Sequence, residues 1–454
     1  MKNTFQKYSL PIKLGGKDIY SFLEKYFSSY RTDLDALLEG NYLNKSNYSD
    51  LVKTKKLITA FSQDILEAID LYFQGYISES YIVFSKRMDE IQGSLIYKEI
   101  AKNNEYRFAR IRIGQGKDWK DLFHIPFDKR ELVKGYRYSI AGFPSLYLAG
   151  NGSFNSSAKP GDYDAALSLA WFETGMPGNF YWSKFRLKSV EPIKILDLTF
   201  SPFSSVTVRN KVYTSIFGKK PVENFIINSL ITYPLTAACS LISEGKNKPF
   251  VPEYIIPQML LSWVRKNASC RGIAYLSNSH IEHVRHYNAF NVVLPPVSFE
   301  KKGYCSKLRS EFNISKPQNV DLSEKFGQLR TKFNKIKQFR DLLTDLSKTK
   351  LAVDSVREIL SICNSFIYIY EEIRDRKAQN IEFVYEYIET LIICSQRFST
   401  EKYHDIMVCE VKNFSANNTS HLKDCEKIWK EWKTTQKVFI DFSNFDMLYF
   451  QKNM

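Results

Sequence analysis

KRELVKGYRYSIAGFPSLYLAG, residues 129–150, decides how the middle of this chain is read. Gly142, Phe143 and Pro144 mark a turn, because Gly accepts a positive φ and Pro presets its own. The run from Ser145 to Ala149 then reads as a short apolar strand. A core rarely takes Arg and Tyr so close to a turn, and a surface rarely takes Leu-Tyr-Leu straight after one. Arg137, Tyr138 and Tyr147 are therefore candidates for a site.

Outward from this stretch, residues 105–305 share its texture. Short β-type runs (FARIRI, KILDL, IAYLS, FNVVLPP) alternate with turn signals and a few helical stretches. The expectation is an α+β domain with a largely antiparallel core. A Gly/Ser/Asn-rich loop, GNGSFNSSAKPGDYD, follows the strand directly and is long enough to be functional.

Residues 1–104 read as helix. Leu57, Phe61, Ile65, Ile69 and Phe73 recur at four-residue spacing, and Gly75 stands where a C-terminal cap would. ISESYIVFSKRMDEI is expected to form a second helix packed back on the first. From 306 to 454 the helical period returns. Leu322, Phe326, Leu329, Phe333, Ile336, Phe339, Leu343 and Leu346 make an apolar stripe on a basic helix, and the remainder is expected to complete a helical bundle.

The 454 residues carry 64 Lys and Arg against 49 Asp and Glu, a net charge of +15. That balance favours an anionic partner: a nucleotide, a nucleic acid or an acidic protein. The seven cysteines are scattered and never spaced C-x-x-C, so neither a disulfide framework nor a zinc site is expected. No stretch approaches the ~18 apolar residues of a membrane span, and the first residues lack the apolar core of a signal peptide. A cytoplasmic protein that does not enter the membrane is expected.

Several chemistries are disfavoured. His280, His283 and His286 lack the H-E-x-x-H arrangement, and Gly114 and Gly116 lack the spacing of a P-loop. No Gly-x-Ser-x-Gly elbow or Cys-His nucleophile spacing occurs. The helical first hundred residues contain no histidine, the first being His124, so they offer no general base for RNA cleavage. What is left is a set in the central domain: arginines at strand starts, a tyrosine on a strand, a glutamate on a helix and a serine after a strand. Arginine can grip a pyrophosphate, tyrosine can stack on a base, and a carboxylate can stabilise an oxocarbenium-like sugar.

FARIRIG, LFHIPFDKRELVKGYRYSIAGFPSLYLAG, AWFET, GIAYLSNS and NAFNVVLPP together resemble a RES domain, named for its Arg, Glu and Ser, over about 105–300. The resemblance implies an ADP-ribosyltransferase-like fold, with helical N-terminal (HEPN-related) and C-terminal extensions. It implies an NAD⁺ glycohydrolase or phosphorylase that cleaves the nicotinamide–ribose bond. It also implies a toxin held by an antitoxin protein, in a toxin–antitoxin or anti-phage defence setting. NAD is then the substrate, and no metal is expected.

Matched residue by residue, the catalytic positions fall on Arg110, Glu173 and Ser277. Arg107 is the alternative register for the first arginine. Dinucleotide contacts fall on Arg112, Arg137 and Tyr147. The family usually places its glutamate much closer to the tyrosine than Glu173 stands to Tyr147, although Asp162 and Asp164 are the only other acids between. Two rival readings are a transferase that places ADP-ribose on a macromolecule and a non-enzymatic basic protein that binds nucleic acid or a partner. The helical flanks are expected to support a homo-oligomer or to sense a trigger.

Overall fold

A computed structural model describes residues 7–39, 43–101, 106–114, 116–151, 164–174, 179–188, 191–203, 206–242, 250–267, 269–277 and 289–321. The chain divides into two compact units, 1–173 with 182–318 and 174–181 with 319–454. The first holds nearly all of the described residues. The expected C-terminal bundle beyond 321, the loop at 152–163 with Asp162, and His280, His283 and His286 lie outside them.

Three helices open the chain: α1 (Ile19–Leu38), α2 (Lys45–Phe73) and α3 (Ile77–Glu90). The Asp18 side chain accepts from Ser21 N at 2.9 Å, and the Asn44 side chain accepts from Asn47 N at 2.7 Å. Each thereby satisfies an amide that the first helical turn leaves without a partner. At the end of α2, Gly75 has φ 87°, Gly75 N donates to Tyr72 O and Tyr76 N donates to Leu71 O. This is the paired Schellman closure expected of a glycine in that place.

The buried stripe of α2 is Leu51, Ile58, Phe61, Ile65, Ala68 and Ile69, whereas Leu57 and Phe73 are 38% and 44% exposed. The four-residue spacing was too strict at its ends. Each such step overshoots a full turn by about 40°, so a run of five drifts about halfway round the helix.

The strands are β1 (Ile12–Lys13), β2 (Tyr97–Ile100), β3 (Arg107–Arg112), β4 (Leu146–Asn151), β5 (Asn179–Leu187) and β6 (Ile193–Asp197). They continue with β7 (Leu241–Ile242), β8 (Gly272–Tyr275), β9 (Ala289–Leu294), β10 (Phe312–Ile314) and β11 (Gln318–Asp321). The main sheet runs β10-β5-β3-β4-β9-β8-β6-β2, with β6–β8 parallel and β3–β4, β4–β9, β8–β9, β2–β6 and β5–β10 antiparallel. The fold is thus α+β, with helices at its N-terminus and a largely antiparallel sheet. Because β10 pairs with β5, the sheet continues past residue 305.

The longer helices among the remaining described residues are α4 (Asp164–Glu173), α5 (Val206–Phe217), α6 (Asn224–Cys239) and α7 (Ile255–Lys266), and a one-turn helix follows at Ser306–Ser310. Register sorts the sheet's two faces. Tyr147 pairs with Val293, which pairs with Ile273; Ala149 pairs with Asn291, which pairs with Tyr275. Residues paired across strands share a face.

On this face Ile273 and Val293 join the core formed with α1, α2, α6 and α7. The alternate residues Leu146, Leu148, Ala274, Val292 and Leu294 join a second core with Phe108, Phe123 and Phe127. Burying each such side chain stabilises the fold by about 1.5–3 kcal/mol relative to exposure. Lys98 is also buried here, at 2.6 Å from the Asp197 carboxylate.

The turn in the opening stretch is as expected. Gly142 has φ 75°, and Phe143 N donates to Ile140 O at 3.0 Å. Gly142 occupies the third position of a type II turn, where a side chain would be strained.

Candidate functional site

β4 pairs with β9 along all six of its residues but with β3 along only three, from Arg107↔Asn151 to Ala109↔Ala149. Beyond Ala109 the ladder stops. Arg110 is the first residue past that point, and Tyr147 lies on the stretch of β4 that has lost its neighbour.

Arg110 is only 9% exposed, its Nη1 has no hydrogen-bond partner, and no carboxylate among the described residues pairs with it. Burial, and then the neighbouring Arg112, push the Arg110 guanidinium well below its ordinary value, while Tyr147 acts in the opposite sense. Arg112 is half-buried and is also pushed down by burial. A buried cation without a counter-ion costs several kcal/mol. Two guanidinium groups so placed favour an anion that carries charge and acceptors together.

The Tyr147 hydroxyl donates to Tyr138 O at 2.6 Å, which fixes the ring. Burial pushes this phenol up to about 12, opposed by the hydrogen bond with Ser139 and by the charge of Arg110. Tyr138 sits against Tyr275 with ring centroids 4.3 Å apart.

Arg137 is engaged by the fold itself. It donates to Cys239 O at 2.9 Å and to Leu241 O, and its guanidinium lies 5.4 Å from the Tyr254 ring centroid. These carbonyls stand at and just after the end of α6, where a cation satisfies acceptors that the helix cannot. The side chain therefore ties the turn at 136–139 to α6.

Glu173 is the last residue of α4 and is exposed. A carboxylate there faces the negative end of the helix dipole, a locally unfavourable placement. Its Oε1 accepts from Asn291 Nδ2 at 2.9 Å. Asn291 is 7% exposed in the central strand β9, on the face shared with Tyr147 and Tyr275. The Tyr275 phenol is pushed well up by burial first, then by Glu173 and Tyr147, with Arg137 acting oppositely. Glu173, Tyr147 and Arg137 thus each lie within electrostatic reach of Tyr275, despite the long insertion before Glu173.

Ser277 is 4% exposed, two residues beyond β8. Arg107, the alternative register, is half-buried, and its Nη1 donates to Tyr106 O at 3.3 Å.

Tyr275 and Asn291 are additions to the residues read from sequence. A signal for the second was present: Asn291 is the one polar residue in AFNVVL, every residue of which is buried.

No known family profile matches the chain, and no solved structure does. Among curated proteins, the Bacillus subtilis (strain 168) protein named "Putative toxin YopC" is 32% identical over 327 residues, a match covering 68% of each chain. With a third of the residues identical across two thirds of both proteins, this chain belongs to the family of YopC.

Proposed function

We propose that this protein is an NAD⁺-consuming toxin of the RES type, acting where β3 and β4 part. The observation that carries the reading is the buried Arg110 guanidinium, its Nη1 without a hydrogen-bond partner and its charge within electrostatic reach of Tyr147. A dinucleotide pyrophosphate supplies the missing negative charge there, and Arg112 adds to the attraction. The toxin name of a family member supports the biological role.

In the proposed reaction the bond between nicotinamide nitrogen and ribose C1″ breaks. The electron pair leaves with nicotinamide and neutralises its pyridinium charge. Glu173, exposed and oriented by Asn291, stabilises the cationic ribose as that bond lengthens. Tyr147 supplies a flat face for the leaving ring, and Ser277 a hydroxyl at the pocket wall. Water or phosphate then forms the new bond through oxygen and gives up a proton.

An antitoxin protein that covers this opening would hold the activity in check. The reading is tested by following labelled NAD⁺ with and without phosphate. Free ADP-ribose marks hydrolysis, its 1″-phosphate marks phosphorolysis, and label on a macromolecule marks ADP-ribosyl transfer. Undiminished NAD⁺ both with and without phosphate rejects it.

A further inference from the structure

The geometry points to Asn291 as the positioning residue for Glu173, a role that rests on the NAD⁺-cleaving reading above. Asn291 stands in the middle of the sheet, paired with Ala149 on one side and Tyr275 on the other. It is itself 7% exposed, in a strand of which every residue is buried. A primary amide in such a place costs free energy unless it is hydrogen-bonded. The hydrogen bond that Asn291 makes through Nδ2 is the one to Glu173 Oε1, at 2.9 Å.

Glu173, in turn, has no other hydrogen bond or ion pair among the described residues. It is exposed, carries a long side chain with several rotatable bonds, and stands at the helix end that repels its charge. A single charge-assisted hydrogen bond from a rigid strand therefore selects the position of the carboxylate. The donor lies on the same sheet face as Tyr147, so the bond draws the carboxylate toward the tyrosine expected to hold the leaving ring. Asn291 acts through Glu173 and need not touch the substrate.

The test is a double-mutant cycle on the full chain, with nicotinamide release as the readout. Asn291→Ala is expected to lower kcat about 10- to 100-fold, the loss of one hydrogen bond to a charged group, with KM within about threefold. Asn291→Asp keeps the shape but replaces the donor with a second carboxylate, and it is expected to fall further. In a Glu173→Gln background, Asn291→Ala is expected to change the residual rate less than twofold. Equal losses in both backgrounds would show a merely structural asparagine and overturn the assignment.

Melting temperatures of the same four proteins separate this inference from the reading beneath it. If the wild-type chain spares NAD⁺, the proposed reaction fails. The Asn291–Glu173 coupling is then decided by the melting shifts: non-additive shifts support it and additive shifts reject it.

Discussion

Replacing Arg110 with Met should make the ligand-free protein more stable while removing its affinity for a pyrophosphate. The guanidinium is 9% exposed, with Nη1 unpartnered and a second arginine two residues away. Taking a charge of this kind out of water costs several kcal/mol, and replacing buried charges by apolar groups of similar size gains up to about 4 kcal/mol. Methionine keeps much of the apolar stem that arginine packs, so little cavity is created. A net gain of about 1–3 kcal/mol follows, or a rise of about 1–3 °C in Tm for a chain of this size.

The ligand inverts the order. Pyrophosphate or ADP-ribose at about 100 times its Kd should stabilise the wild type by about 2.7 kcal/mol and Arg110→Met by almost nothing. Thermal unfolding of both proteins, with and without each compound, gives the four values. A destabilised Arg110→Met whose ligand shift equals that of the wild type would refute the anion site.

Two further predictions concern the surroundings of the site. Burial pushes His124 down to about 4 from its ordinary 6.5, against the effect of its Nδ1–H donating to Ile125 O. The unfolded chain then binds a proton that the folded chain refuses between these values. The contribution to stability is complete above pH 6.5 and is lost as pH falls toward 4, by about 3 kcal/mol at 1.36 kcal/mol per unit. Urea midpoints at pH 7 and pH 4.5 should show this loss, and His124→Gln should flatten it. Arg137→Ala removes two charge-assisted bonds to Cys239 O and Leu241 O and should cost about 2–4 kcal/mol in urea unfolding. An unchanged midpoint with lost ADP-ribose binding would instead return Arg137 to the substrate.

What could be read from the sequence depended on how local its cause was. β4 and β9 were legible because a continuous apolar run beside a turn needs no distant partner to be recognised. β2 was hidden, since Lys98 breaks the apolar pattern of YKEI and is compatible with burial only because Asp197 meets it 99 residues later. The helical stripe of α2 was visible at its centre and wrong at its ends, where a strict four-residue rule outruns the helix.

The same distinction holds at the site. Arg110, Tyr147 and Glu173 stand out by type and order. The engagement of Arg137 does not, because its acceptors lie 102 and 104 residues away. The Asn291–Glu173 bond spans 118 residues and depends on the β4–β9 register, which no short stretch encodes.

The most direct measurement is nicotinamide release from NAD⁺ by the purified full-length chain, beside Glu173→Gln. The expected result is release in proportion to wild-type protein, with a fall of about 10²–10⁴ in the variant, which keeps its affinity for ADP-ribose. Equal release by both proteins, or NAD⁺ left intact by the wild type, would contradict a catalytic carboxylate at the parting of β3 and β4.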